Sequence, residues 1–275
     1  MSSRDEIATD AKAIETPTDD IVLRNDADGV ATLTLNRPKS RNALSSAMLL
    51  ALQQQMDAVA ADPSVKVVVI RGAGPGFCSG HDLNEIRANR CRETYEALFA
   101  QCSRLMMSIV RLPKPVIARV HGIATAAGCQ LVASCDLAFA TESAQFATPG
   151  VNLGAFCSTP MVALSRTIGR KHAMEMLLSG NLFPAERARE FGLLNQVLPE
   201  NQLDEVVYGF ARHIAQRSAL AFSTGKPAFY QQLEMPLQDA YAFASAVMSE
   251  SFLTHDAQEG IGAFLEKRKP LWRNE

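Results

Sequence analysis

Arg71-Gly72-Ala73-Gly74-Pro75-Gly76-Phe77-Cys78-Ser79-Gly80-His81-Asp82-Leu83 decides how the chain is read. It follows the β-branched run from Val65 to Ile70 and leads into a helical pattern. A second segment of the same make, His121-Gly122-Ile123-Ala124-Thr125-Ala126-Ala127-Gly128-Cys129-Gln130-Leu131, follows Val116-Ile117-Ala118-Arg119-Val120. Strand, glycine loop and helix in repeated succession indicate an α/β architecture. Small residues let a ligand come close to the backbone, and the first turn of a helix leaves amide N–H groups unpaired. Two such amides converging on one carbonyl oxygen form an oxyanion hole, so the paired loops predict an anion trap. For Gly80 and Gly128 plain turn geometry is the competing reading.

On the N-terminal side, Ile21-Val22-Leu23 and Val30-Ala31-Thr32-Leu33-Thr34-Leu35 flank an Asn-Asp-Ala-Asp-Gly turn at 25–29 and read as a β-hairpin. A polar loop at 36–44 carries Arg37, Lys39 and Arg41. Ser45 or Ser46 is placed to cap a helix with Met48, Leu49, Leu52, Met56 and Val59 on one face, ending before Pro63. A second helix is expected over 94–110, broken by Pro113 and Pro115. Residues 128–134 read as a short buried helix, and 137–140 and 145–147 as strands. From about Pro160 the pattern is helical, near 160–168, 171–178, 184–191, 202–218, 221–232, 236–252 and 257–266. Three segments result: a polar lead-in over 1–20, a strand-and-helix core over 21–200, and a helical region over 201–275. The last needs an apolar surface to cover, either its own chain's core or a neighbouring subunit.

Composition narrows the classes further. The chain has 275 residues, 47% hydrophobic and 20% charged, with a net charge of −2, which gives no electrostatic reason to expect nucleic acid or an anionic membrane as a partner. No stretch approaches the ~20 apolar residues of a membrane span. Asp5, Glu6, Asp10, Glu15, Asp19 and Asp20 disfavour a secretory signal or transit peptide, so a cytoplasmic location is expected. The six cysteines form no Cys-x-x-Cys pair; no metal site is expected, and the thiols read as reduced and buried.

The loops, their order and their spacing resemble the crotonase superfamily, the enoyl-CoA hydratase/isomerase family, from about Ile21 to Trp272. Five ordered matches carry the resemblance. They are Leu35-Asn36-Arg37-Pro38 with Asn42-Ala43-Leu44; the 77–83 segment; Ala127-Gly128-Cys129-Gln130-Leu131 with Cys135-Asp136; Phe146-Ala147-Thr148-Pro149; and Glu259-Gly260-Ile261 with Phe264-Leu265-Glu266-Lys267-Arg268. Residues 154–160 further resemble one branch of that family. The resemblance implies a spiral of ββα units with a C-terminal helical trimerisation region, assembled as a trimer or a dimer of trimers. It implies an acyl-CoA thioester as ligand, with coenzyme A part of the substrate and no separate cofactor. The oxyanion hole would be the backbone N–H groups of His81 and Ala127. Ser79, Gly80 and Asp82 would meet the CoA arm, Lys39 and Arg41 its phosphates, and Phe264 and Lys267, often from a neighbouring subunit, its adenosine end.

The sequence departs from that pattern at the proton-transfer groups. Where a hydratase of the family carries two glutamates, this chain has Gln130 and Gly150. Where some isomerases carry an aspartate, it has Ser158. An amide orients water but does not accept its proton, and general acid–base groups contribute typically ~10²–10⁴-fold. Each remaining polar residue has a plainer reading. Gln130 would hydrogen-bond backbone, Ser158 would cap the helix at Pro160, and Cys157 would be a buried thiol. The His81 ring could face in or out, with a surface or CoA-facing ring as the plainer reading; His121 would be structural, and the Lys267 charge would be solvated. Two functions are therefore expected to compete: a hydratase or isomerase with atypical proton-transfer groups, and a non-catalytic acyl-CoA-binding protein. If the missing carboxylates are decisive, glutamate at both 130 and 150 should raise hydration.

Overall fold

In the computed structural model, which describes residues 20–88 and 90–275, the β-branched runs form the strands. The lead-in expected over 1–20 lies, apart from its last residue, outside the described residues. The strands are β1 (Val22–Ala27), β2 (Val30–Leu35), β3 (Val67–Gly72), β4 (Val116–Val120), β5 (Ile123–Thr125), β6 (Leu137–Thr141), β7 (Gln145–Ala147), β8 (Phe183–Pro184) and β9 (Gln196–Leu198). A six-stranded sheet runs β1-β2-β3-β4-β6-β9, antiparallel only at β1-β2, and a three-stranded sheet runs β5-β7-β8.

Alternate steps of the chain divide between the two sheets. β4 lies in the large sheet and β5 in the small one; β6 and β7 repeat the step. β3 does the same in outline, since Cys78 beyond it bridges Ala124 of β5. After each pair a helix returns the chain, which is the spiral of ββα units the sequence led one to expect. The helices of the spiral are α1 (Ser46–Ala61), α2 (Leu83–Ala88), α3 (Arg92–Arg111), α4 (Ala127–Ser134), α5 (Ser158–Thr167), α6 (Arg170–Ser179) and α7 (Ala185–Phe191).

Parallel strands covered on both faces need apolar residues throughout, and Val67 to Ile70 and all of β4 are buried. Leu33, Ile70, Ala118 and Val120 face the main core with Leu49, Met56, Leu105 and Phe146. On the opposite face Val67, Val69, Ile117 and Phe139 pack beneath Leu203, Val207 and Ala211 of α8 (Glu200–Ala215). The C-terminal helices are α9 (Ala219–Gln232), α10 (Leu237–Leu253) and α11 (His255–Leu265). α9 docks on the spiral through Lys226, whose Nζ donates to Asp136 Oδ2 (2.7 Å) and to the carbonyls of Ile109 and Lys114 (both 3.0 Å). Leu237, Tyr241, Leu253, Phe264 and Leu265 of α10 and α11 remain exposed.

Several local expectations are corrected. Residues 25–27 continue β1, and the hairpin turn is only Asp28-Gly29, both at positive φ (53° and 77°). With φ positive at both central residues, the twist of the turn matches that of the flanking strands. Of the two cap candidates, Ser45 caps α1, as expected, by accepting from the Met48 N–H (3.2 Å). Cys157, not Ser158, stands at the N-cap of α5, so Ser158 falls one residue inside the helix and its hydroxyl donates to the Phe156 carbonyl (3.3 Å). The short elements α2 and β5 lie within segments read from sequence as loop.

Candidate active site

The two glycine loops are joined backbone to backbone. Phe77 and Cys78 N–H both donate to the Ile123 carbonyl (3.1 and 3.0 Å), and Thr125 N–H donates to the Cys78 carbonyl (2.9 Å). Gly128 packs so closely on the Cys78 carbonyl that a Cβ there would overlap it. Gly80 has φ +93°, and its missing Cβ would lie 2.8 Å from Ala126 Cβ and 3.2 Å from Ala127 N. Only glycine meets both conditions. Buried Asn42 holds the first loop open: its side-chain amide donates to the carbonyls of Ala73, Gly76 and Phe77 at 2.9–3.1 Å.

Ala127 is the first residue of α4, and His81 sits one residue beyond Gly80. Among the described residues neither N–H donates to a protein acceptor. Ala126 sets up this arrangement at the cost of a strained backbone, φ 50° and ψ −119°, held by its N–H donating to the Ala147 carbonyl (2.9 Å). Such conformations for a residue with a Cβ cost of order 1–3 kcal/mol and gather at functional sites. Both amides are thus free on adjoining loops, one of them at a helix start, where unpaired N–H groups carry partial positive charge. Nothing in the sequence marks Ala126 as strained.

Of the two orientations open to the His81 ring, the structure has it turned toward Leu44 and Phe99 rather than out at the surface. Its Nδ1 lies 3.2 Å from the Leu44 carbonyl, so Nδ1–H donates, and Nε2 is buried without a partner. The ring meets Phe99 edge-on at 5.4 Å. Burial lowers its pKa below the ordinary histidine value and so favours the neutral imidazole. His121 is fully engaged: its Nε2–H donates to the Gly74 carbonyl (2.7 Å) and its Nδ1 accepts from Arg119 (2.9 Å).

Gln130 is buried in α4, but the backbone bond expected of its side chain is absent among the described residues, and Oε1 is left without a donor. The hydroxyl of fully buried Thr148 is likewise unpartnered. Gly150 N–H donates to Cys157 Sγ (3.2 Å), and a Cβ on Gly150 would stand 2.6 Å from the Ala155 carbonyl oxygen and 2.8 Å from that sulfur. There is no room for glutamate at 150 without moving the backbone, so the two-glutamate restoration has a steric obstacle. Burial pushes the Cys78 and Cys129 thiols up to about 12 and raises Cys157 too, so none is a thiolate at neutral pH.

Of the residues expected along a CoA arm, Ser79 N–H is already bonded to the Arg41 carbonyl (3.0 Å) and Asp82 N–H to the Leu44 carbonyl (3.3 Å). Asp82 also pairs with Arg37 (3.4 Å). The Ser79 carbonyl in turn accepts from the Thr125 hydroxyl (3.0 Å). Lys39 and Arg41 are exposed on the neighbouring loop, and neither forms an ion pair among the described residues. Phe264 is 82% exposed and Lys267 is exposed at φ 56°. Neither makes a hydrogen bond or ion pair to either glycine loop among the described residues. A cleft of about 550 Å³, which the sequence did not reveal, opens along α3 between Arg92, Tyr95, Glu96 and Phe99.

Comparison with known proteins places this geometry in context. A profile described as enoyl-CoA hydratase/isomerase matches residues 25–275. The chain is 49% identical over 248 residues to human mitochondrial enoyl-CoA hydratase domain-containing protein 3, covering 90% of this chain and 82% of that one. It is 37% identical to the 2,3-dehydroadipyl-CoA hydratase of Escherichia coli strain K12, over 88% of this chain and 94% of that one. Among solved structures, the enoyl-CoA hydratase of Mycobacterium smegmatis superposes with a TM-score of 0.90 at 51% identity, covering 92% of this chain and 99% of that one. The human enoyl-CoA hydratase domain-containing protein 3 structure also superposes with a TM-score of 0.90, at 47% identity and with 92% and 100% covered.

Proposed function

The chain belongs to the enoyl-CoA hydratase/isomerase family, and from that premise we propose that it binds acyl-CoA thioesters and stabilises the enolate oxygen with the His81 and Ala127 amides. One observation carries the reading: the two N–H groups lie on loops that touch at Gly80 and Ala127, and neither has a protein acceptor among the described residues. Removing one such donor typically costs on the order of 10²–10³ in rate. Lys39 and Arg41 would meet the CoA phosphates, with Ser79, Gly80 and Asp82 along the arm. Phe264 and Lys267 would serve the adenosine end of a neighbouring subunit's site. The exposed apolar residues of α10 and α11 support a homotrimer or a dimer of trimers. Coenzyme A enters only as part of the substrate.

Proton transfer is where the reading divides. Gln130 would orient water or substrate through its unpartnered Oε1, and Ser158 would stand at the mouth of the acyl pocket, but neither replaces a carboxylate. A second reading, an acyl-CoA-binding protein without turnover, is favoured by Gly150, whose surroundings leave no room for the side chain a hydratase would use. Crotonyl-CoA hydration measured beside thioester binding separates them. Turnover supports the enzyme, binding without turnover across several enoyl chain lengths supports the second reading, and absence of thioester binding rejects both. For location, the acidic residues of the lead-in support the cytoplasm, whereas the human relative bears a mitochondrial name. Fractionation of cells expressing the full chain decides between them.

A further inference from the structure

The face of the large sheet that packs against α8 carries a polar recess. β2, β3 and β4 place Thr34, Arg71 and Arg119 side by side, in register. Arg119 is neutralised there by Asp204 (2.7 Å). Arg71 is not: among the described residues it has no ion pair, and its Nε is buried without an acceptor. A buried donor on a charged group that lacks a partner is costly and points to a missing acceptor. Arg71 lines a cleft of about 260 Å³ between the sheet and α8, together with Arg212, Thr32, Thr34, Tyr208 and Asp28. Arg212 is also without an ion pair among the described residues, so two guanidiniums face one carboxylate. The Tyr208 hydroxyl accepts from Thr32 (3.5 Å), which leaves its own O–H free to donate.

We propose that this cleft between β1–β3 and α8 binds a phosphoryl group, held by Arg71 and Arg212 with the Thr34 and Tyr208 hydroxyls as further donors. Guanidinium forks suit both phosphate and carboxylate. The donors here come from two strands and a helix, and a tetrahedral set of oxygens meets them from more directions than a planar carboxylate does. The site is separate from the loop carrying Lys39 and Arg41 and does not depend on how that loop is used.

Calorimetric titration of the full chain with inorganic phosphate, at ionic strength held constant with chloride, tests the assignment. Expected is a saturable isotherm with a Kd of about 1 mM or tighter, weakened about tenfold or more in Arg71→Gln and Arg212→Gln and retained in Lys39→Ala/Arg41→Ala. Arg212 is exposed on α8, so its variant carries the test even if Arg71→Gln does not fold. A nucleoside monophosphate that binds more tightly than phosphate at the same residues supports the site and assigns the group to a nucleotide; equal binding supports it as a site for free phosphate. No saturable binding, equal displacement by acetate, or loss of binding in the Lys39/Arg41 variant but not in the Arg variants overturns the proposal.

Discussion

Gly150 donates its backbone N–H to the sulfur of Cys157 at 3.2 Å, and the same contact fills the space that a side chain at 150 would occupy. A Cβ there would also meet the Ala155 carbonyl at 2.6 Å, which is backbone and does not swing aside. Gly150→Ala is therefore expected to lose about 1–3 kcal/mol as an overpacked substitution, and Gly150→Glu more. Chemical denaturation measures both. If Gly150→Glu is as stable as the parent chain, the loop has room and the loss of the second glutamate is not enforced by packing.

Gly80 and Ala126 face each other across the joined loops. Gly80→Ala introduces a Cβ at φ +93° and 3.2 Å from Ala127 N, crowding the amide pair from inside. The expected result is a drop in turnover, or in polarisation of a bound thioester where there is no turnover, on the order of 10². The infrared stretch of the bound thioester carbonyl reads it directly. An unchanged stretch in a folded Gly80→Ala variant would remove the oxyanion assignment. Ala126→Gly has the opposite sign. It relieves the strain at φ 50° and should add about 1 kcal/mol of stability after the entropic penalty of glycine; a net loss in denaturation would show that Ala126 is not strained.

Much of this site was legible because its parts are local. β-branched runs gave β3 and β4, paired prolines ended α3, and glycine placed just beyond a strand marked both loops. The parts that were not legible are made by distant contacts. Ala126 adopts its conformation because its N–H is drawn to Ala147, and alanine carries no signal for that. β5 is three residues long and becomes a strand only by pairing with β7. The inward turn of His81 depends on Leu44 and Phe99, which lie on other elements. Motif matching supplied the identity of Gln130 and Gly150 as departures, while packing around Gly150 supplied the reason that the departure is hard to reverse.

Asp136 ties the spiral to the C-terminal helices, accepting from Lys226 Nζ (2.7 Å), Tyr230 OH (2.9 Å) and Val116 N–H (2.7 Å). Lys226 is 8% exposed and Asp136 17%, so the pair is largely shielded from water. Removing one member of such a pair strands the other, at about 3–5 kcal/mol. Lys226→Met should lose on that scale in urea unfolding and loosen α9 in amide exchange. A loss below about 1 kcal/mol, the level of an exposed pair, would mean that Lys226 does not anchor α9 and that its other contacts, Tyr230 to Asp136 among them, hold it.

His81 gives the site a pH dependence whose sign follows from its burial. Desolvation lowers its folded pKa below the ordinary histidine value of 6.5, outweighing the Leu44 hydrogen bond and the nearby Glu85 charge. The unfolded chain then binds the proton first, so the contribution of His81 to stability is complete above pH ~6.5 and is lost as pH falls from there towards the folded pKa. His121 is lowered in the same direction, so the two must be separated. An NMR titration resolving the His81 imidazole should place its midpoint below the value in the unfolded chain, and His81→Gln should flatten part of the fall in melting temperature between about pH 7 and 5. A midpoint at or above the unfolded value would mean that the buried Nε2 finds an acceptor for its proton, and that the ring is charged when the thioester oxygen approaches the adjacent amide.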